Sequence, residues 1–307
     1  MGTAGREIEP SGWVWLNGTL LPEGEARVSV FDRGYLYGDG LFETMRAYGG
    51  KIFRLRQHLA RLAEGAREIG LRLRVTPAQI EQAAADLLDA SGLSDAYLRL
   101  TVSRGLGLGP LPKHNLKPTL SLIARRLRLP SLQEYEKGWK GVLVESALSP
   151  NSQLSKVKSL SYLDKVLARI RAREAGADEA LLVNCQGEIT EASTSNFFLL
   201  HEGRLLTPPL KAGLLRGITR ETIMELAPRL SLRVSEAILT PEEVFSAQEC
   251  FLTNSIMEVM PLTSLEGRKI GEGRRGPITA ALHRAYQNLV VEELARAGRS
   301  RAEPLDA

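Results

Sequence analysis

The chain has 307 residues, 43% hydrophobic and 25% charged, with a net charge of +4. This length predicts two domains with a sizeable core, and no apolar run is long enough to span a membrane. The positive charge is interleaved with carboxylates and densest at Arg125, Arg126 and Arg128; a nucleic-acid partner is not expected, but an attraction for anionic cofactors and substrates is.

The first residues lack the basic-then-apolar layout of a signal peptide. Arg6 stands where a myristoylation signal needs Ser or Thr, so a cytoplasmic location is expected. Cys185 and Cys250 are far apart and read as free thiols. His58, His114, His201 and His283 show no metal-ligand spacing, so no metal is expected.

In chain order, strands are predicted over 13–16, 26–31 and 41–48, the last turning at Gly49-Gly50 into a second arm over 51–53. Leu55, Leu59, Leu62, Ala66 and Ile69 recur at helical spacing. Thr76, Pro77 and Gln79 form the capping box of a second helix, whose apolar side is Ile80, Ala84, Leu87 and Leu88. Residues 96–103 alternate: Leu98, Leu100 and Val102 face one way, Tyr97, Arg99, Thr101 and Ser103 the other. A strand over 119–124 follows, then a linker over 129–138 marked by Pro130.

The second half opens with a strand at 141–145 and a polar stretch before a helix over 162–175. Short strands follow at 179–183, 188–191, 197–201 and 204–207, with Gly187 and Gly203 at hairpin turns. Gly217 and Thr219 introduce a helix to 227, and Thr240, Pro241 and Glu243 cap a shorter one. A strand over 250–253 and a long helix from Gly276-Pro277 complete the set, with a frayed tail from Arg299. Strands and helices do not alternate one for one, so a mixed α/β (α+β) fold is expected rather than a doubly wound parallel sheet.

Four features invite chemical readings. The glycines at 38, 40, 105, 107 and 109 match no nucleotide-binding loop and read as turn glycines. Lys156 and Lys158 precede a helix; either a solvated basic loop or a buried reactive amine would account for them. The run 190–196 is dense in hydroxyls around Glu191, which suits either an exposed turn or a ligand site. The segment 217–220 could cap a helix or hold a phosphate on its free amides.

Seven ordered segments, taken together, resemble one family: FDRGYLYGDGLFETMRAY (31–48), HLARL (58–62), KSLSYLDKVLAR (158–169), GEITEASTSNFFLL (187–200), TPPL (207–210), GITRETI (217–223) and FLTNSIMEVMP (251–261). The sequence is similar to the class IV aminotransferases, the fold-type IV pyridoxal-phosphate enzymes, over about residues 13–294. These include branched-chain aminotransferases, D-amino-acid aminotransferases and aminodeoxychorismate lyases.

The resemblance implies a small α/β N-terminal domain (1–128), a linker (129–138) and a larger C-terminal domain (139–307) on a β-barrel-like core, with the site between domains and a homodimer completing it. Pyridoxal 5′-phosphate (PLP) is the implied cofactor. Lys158 would hold it as a Schiff base. Glu191 would face its pyridine nitrogen and Tyr162 its phenolic oxygen. Arg61, Ile218, Thr219 and Ser255, with the adjoining Ile256, would bind its phosphate. Tyr37, Phe42 and Arg99 would line the substrate pocket.

Two departures bear on the branch. Ala192 replaces the glycine that usually follows the glutamate, which tightens backbone space but leaves the role of Glu191 intact. The Arg-x-His element of many D-amino-acid enzymes is missing, since residues 105–112 hold no Arg or His. The leading expectation is transfer of an amino group between an L-α-amino acid, branched-chain-like or glutamate, and a 2-oxo acid. Tyr97, Arg99, Tyr162 and GEGRRGP (271–277) lean that way. LFETMR (41–46) and TNSIMEVMP (253–261) resemble the lyase branch, which releases pyruvate to give 4-aminobenzoate. D-amino-acid transfer stands third. A binding protein on an inactive scaffold is disfavoured by the retention of Lys158, Glu191 and Arg61 together.

Overall fold

The computed structural model describes residues 9–113, 115–127, 129–146 and 149–299, with side chains from position 12 to 296. Arg6, His114, Arg128 and the tail beyond 299 lie outside the described residues.

The first half is an antiparallel sheet backed by two helices. Its elements are β1 (Glu9–Leu16), β2 (Thr19–Pro22), α1 (Arg33–Tyr37), β3 (Gly40–Tyr48), β4 (Lys51–Ile52), α2 (Leu55–Glu68), α3 (Pro77–Ser91), β5 (Ala96–Ser103) and β6 (Thr119–Arg126), in the sheet order β2-β1-β6-β5-β3-β4. The alternation of β5 sends Leu98, Leu100 and Val102 into the core. There they meet Leu59, Leu62 and Ala66 of α2 and Ile80, Ala84 and Leu87 of α3. The capping box at Thr76 forms as expected: its side chain accepts from the Gln79 amide.

One expected strand is absent. Residues 26–31 carry the apolar alternation of Val28, Val30 and Phe31, but these side chains are exposed and no strand forms. Alternation alone does not make a strand without a sheet edge to pair with.

The second half comprises α4 (Leu132–Lys137), β7 (Trp139–Glu145), α5 (Gln153–Lys156), α6 (Leu163–Glu174), β8 (Glu179–Val183), β9 (Ile189–Ala192), β10 (Asn196–His201), β11 (Arg204–Thr207), α7 (Ile218–Leu226), β12 (Arg233–Glu236), α8 (Pro241–Ser246), β13 (Glu249–Asn254), β14 (Glu258–Leu265), β15 (Arg268–Lys269) and α9 (Pro277–Arg299). Within 129–138, α4 is capped by Ser131 and buries Tyr135, whose hydroxyl donates to the Met257 carbonyl. The sheet runs β12-β11-β10-β13-β14-β7-β8-β9, with β15 on β14. It curls far enough for Ile189, on the β9 edge, to bridge Leu239 just past β12. This near-closure gives the barrel-like core expected.

The sequence reading missed β14, a central strand. Its side chains are buried almost throughout, so alternation is lost, and Pro261 argues against a central position. Pairing with β7 begins only at Leu262, so Pro261 sits where β13 alone flanks the strand. Among the described residues no helix is long and apolar enough to cross a membrane.

Candidate active site

A cavity of about 510 Å³ lies between the two sheets. The first half of the chain contributes Phe42, Thr44, Tyr97 and Arg99 from its sheet and Arg61 from α2; the second half contributes Lys158, Tyr162, Lys165 of α6, Glu191 of β9 and the turns at 213–219 and 253–256.

Lys158 is carried on a three-residue graft. After α5, residues 158–160 run along the start of β3: the Phe42 amide donates to the Lys158 carbonyl at 2.9 Å and the Leu160 amide to the Gly40 carbonyl at 3.0 Å. A Cβ on Gly40 would meet the Val102 carbonyl at 2.4 Å and Leu160 Cδ1 at 2.7 Å, so only glycine permits this approach. The Lys158 amine lies 4.7 Å from the centre of the Phe42 ring. Burial, then the nearby Arg61 guanidinium, lower its pKa to about 8, against the pull of Glu43 and Glu191. Lys156, two residues earlier, is exposed. The structure thus separates the two lysines that spacing alone could not.

One end of the cavity, suited to an anion, is built by α7. Gly217 at its N-cap offers no side-chain cap, and the first amide used within the helix is that of Glu221, bonded to the Gly217 carbonyl. The amides of the preceding turn are left to the cavity, at the positive end of the helix dipole. A Cβ at Gly217 would lie 1.8 Å from Asn196 Oδ1, so the turn requires glycine. Ile218 and Thr219 line the cavity, though hydrogen bonding to Thr219 is among the influences on the buried Tyr286.

Arg61 reaches the same end by a clamp that the sequence reading did not single out. Its Nε and Nη2 donate to the two oxygens of Glu43 at 2.8 and 2.6 Å, and its Nη1 to the Arg216 carbonyl at 2.8 Å. His58 Nδ1 lies 2.8 Å from Glu43. Burial raises the Glu43 pKa, but Arg61 and His58 outweigh it and bring the pKa down to about 2. Burial lowers that of His58, which is then neutral at pH 7 and donates from Nδ1. Its Nε2 is left to accept from Ser255 Oγ at 3.5 Å. Ile256 lines the cavity, but its amide already donates to Asn254 Oδ1.

Glu191, on β9, accepts from Lys165 Nζ at 2.5 Å and from the Leu215 amide at 3.3 Å. The run 190–196 is largely buried, which rules out a simple exposed turn. Tyr162 donates to the Ser193 carbonyl at 3.1 Å and packs edge-on against Phe42. Burial, then Glu191, raise its pKa. The Arg99 guanidinium stacks 3.7 Å from the Phe42 ring centre and pairs with no carboxylate among the described residues.

One expected pocket residue is not brought in. Tyr37 ends α1 outside the cavity, exposed, with its hydroxyl accepting from the Gly109 amide. The left-handed Gly38 stops α1 there and turns the chain away into β3.

Family-level findings agree with this geometry. The profile of the family "Amino-transferase class IV" matches residues 40–265. A Methanocaldococcus jannaschii protein, provisionally named a branched-chain-amino-acid aminotransferase, is 38% identical over 90% of this chain and 96% of its own length. The D-alanine aminotransferase of Bacillus licheniformis is 33% identical over 92% of this chain and 99% of its own. A solved branched-chain amino acid aminotransferase from T.th., complexed with N-(5′-phosphopyridoxyl)-L-glutamate, superposes with a TM-score of 0.86 at 29% identity, covering 92% of this chain and 95% of that one. A curled half-barrel facing a smaller sheet, with a lysine between them, defines a fold-type IV enzyme. The chain belongs to the class IV aminotransferases, whose cofactor is pyridoxal phosphate.

The cavity fits that cofactor on its own terms. Ser195 Oγ and Thr253 Oγ1, both on cavity-lining residues, are buried without a hydrogen-bond partner. Orphaned hydroxyls are costly unless a ligand satisfies them. Free amides at a helix start, an amine of lowered pKa and a carboxylate line one cavity, the kinds of group that a phosphate, an aldehyde and a basic ring nitrogen require.

Proposed function

We propose that the protein transfers an amino group between an L-α-amino acid, with an apolar side chain or glutamate, and a 2-oxo acid, with Lys158 as the catalytic residue. The observation that carries this reading is the low-pKa Lys158 amine in one cavity with the Glu191 carboxylate, Arg61 and the start of α7. Bound there, PLP supplies an aldehyde that an amine can capture and a ring that accepts electrons from the substrate's α-carbon.

The protein's part is positioning and proton transfer. Arg61, the α7 amides with Ile218 and Thr219, and the Ser255 hydroxyl would hold the phosphate, while Ile256, its amide engaged by Asn254, would only line that end. Glu191 would face the ring nitrogen and Tyr162 the ring's phenolic oxygen. Lys158 Nζ, its pKa lowered to about 8, takes and returns the proton at the substrate's α-carbon. Phe42 and Arg99 form the substrate wall, and the unpaired Arg99 guanidinium suits the distal carboxylate of glutamate. The absence of Arg and His from residues 105–112 favours this over D-amino-acid transfer.

The same proposal includes a two-domain division near 129–138 and a cytoplasmic homodimer. Phe31, Tyr35, Tyr37, Leu106, Leu108 and Leu111 are exposed on segments tied together by Arg33 and by the Asp32–Leu106 bridge. Exposed apolar side chains on segments tied together in this way favour burial against a second copy, which would give Tyr37 a cavity to reach. Two unpaired thiols, one exposed, suit a reducing compartment.

The test is to mix the PLP-loaded protein with a panel of L- and D-amino acids and follow the cofactor's visible absorbance. Leucine, isoleucine, valine and glutamate of L configuration should bleach it. Pyruvate release from aminodeoxychorismate without such bleaching would replace this reading with the lyase.

A further inference from the structure

Helix α6 turns one face to the cavity. Tyr162 at its N-cap, Lys165 and Arg169 all line it, while Ala168 and Ala172 pack beneath against β8. Two of these side chains have evident tasks: Tyr162 bonds Ser193, and Arg169 is taken up by the Asp178 carbonyl at 2.6 Å and Glu179 at 3.2 Å. Lys165 is the third, and its partner is Glu191 at 2.5 Å.

We propose that Lys165 is a positioning residue: it fixes Glu191 and shares its charge, so that the ring nitrogen of bound PLP meets a carboxylate already half-neutralised. The inference rests on the reading of Glu191 as the partner of that nitrogen. Three observations carry it. Both side chains are mostly withdrawn from solvent, at 16% exposure for Lys165 and 10% for Glu191, so neither charge is screened by bulk water. The second Glu191 oxygen is held by the Leu215 amide, so the carboxylate is restrained from two sides. Arg169, one turn along the same helix, is occupied by Glu179 and cannot replace Lys165.

The consequence is electronic. A carboxylate keeps a neighbouring ring nitrogen protonated, and a cation on that carboxylate weakens the effect. Lys165 also adds to the field at Lys158, which faces Arg61 of α2, Glu43 of β3, Glu191 of β9 and Lys165 of α6. One lysine thus lowers the proton affinity at both ends of the cofactor.

The experiment loads the wild type, Lys165→Met, Lys165→Gln, Lys165→Arg and Glu191→Gln with PLP carrying nitrogen-15 in its ring. The nitrogen-15 chemical shift, followed against pH, gives the ratio of protonated to neutral ring nitrogen independently of turnover. Lys165→Met should raise that ratio about tenfold or more, the scale of one unit charge removed from a poorly solvated site. Lys165→Gln should follow it, and Lys165→Arg should restore wild-type behaviour. A wild-type ratio in both neutral variants overturns the role of Lys165. Glu191→Gln separates the two layers: an unchanged signal there removes the reading of Glu191 itself, whereas a fall towards the neutral ring upholds that reading and leaves Lys165 to be judged by its own variants.

Discussion

Replacing Glu43 with glutamine tests whether the Arg61 clamp is held by charge or only by shape. Glu43 is buried and accepts three bonds, two from Arg61 and one from His58. An amide of the same size puts an NH₂ donor against groups that are themselves donors, leaving a buried guanidinium poorly paired. The carboxyl's pKa falls from 4.5 to about 2 on folding, which corresponds to about 3 kcal/mol of stability at neutral pH. For a chain of this size that is roughly 5–12 °C in melting temperature. The sign is set by the direction of the shift. A depressed folded pKa stabilises fully above the unfolded value, and the contribution drains away as pH drops from about 4.5 towards 2. Thermal unfolding of wild type and Glu43→Gln should therefore differ most at pH 7, and the gap should narrow through that acid window. Melting curves that coincide at pH 7, or a gap of constant size down to pH 3, would refute the reasoning.

Other outcomes follow from the same geometry. Lys158→Ala should abolish turnover and covalent cofactor attachment, while Lys156→Ala, in an exposed position, should do neither; borohydride reduction and peptide mapping would expose a wrong choice by labelling another lysine. Glu191→Gln should retain the cofactor but slow the chemistry by about 100-fold or more, the loss seen when one electrostatic stabiliser is removed; normal turnover would dismiss its role. Arg99→Leu should weaken use of glutamate about ten- to a hundred-fold relative to leucine, the scale of one charge-assisted contact. Equal losses for the two substrates would make Arg99 a structural residue.

Periodic burial was legible in the sequence, and its absence hid what was not. The α2 and α3 faces, the alternation of β5 and the capping boxes at Thr76 and Thr240 are local patterns, and each appears where it was expected. β14 lies in the middle of a sheet and is buried on both faces, so it carries no alternation to read. Residues 26–31 show the converse error, since their alternation was local but their pairing partner does not exist within the described chain.

The candidate site divides along the same line. The segments around Lys158, Glu191, Arg61 and Gly217 could be recognised as strings, yet what makes each side chain usable is non-local. Burial of the Lys158 amine depends on residues 158–160 docking on β3, more than a hundred positions earlier, and that docking depends on Gly40 lacking a Cβ. The Arg61 clamp needs Glu43 from a neighbouring strand and the Arg216 carbonyl from the far half of the chain. Lys165 is the extreme case. Among the Lys and Arg residues of α6 nothing in its spacing distinguishes it, and only the curl of the sheet that brings β9 beside the helix reveals its partner. A sequence can therefore name the groups that do chemistry more readily than the groups that set their charge, because the latter are selected by tertiary proximity alone.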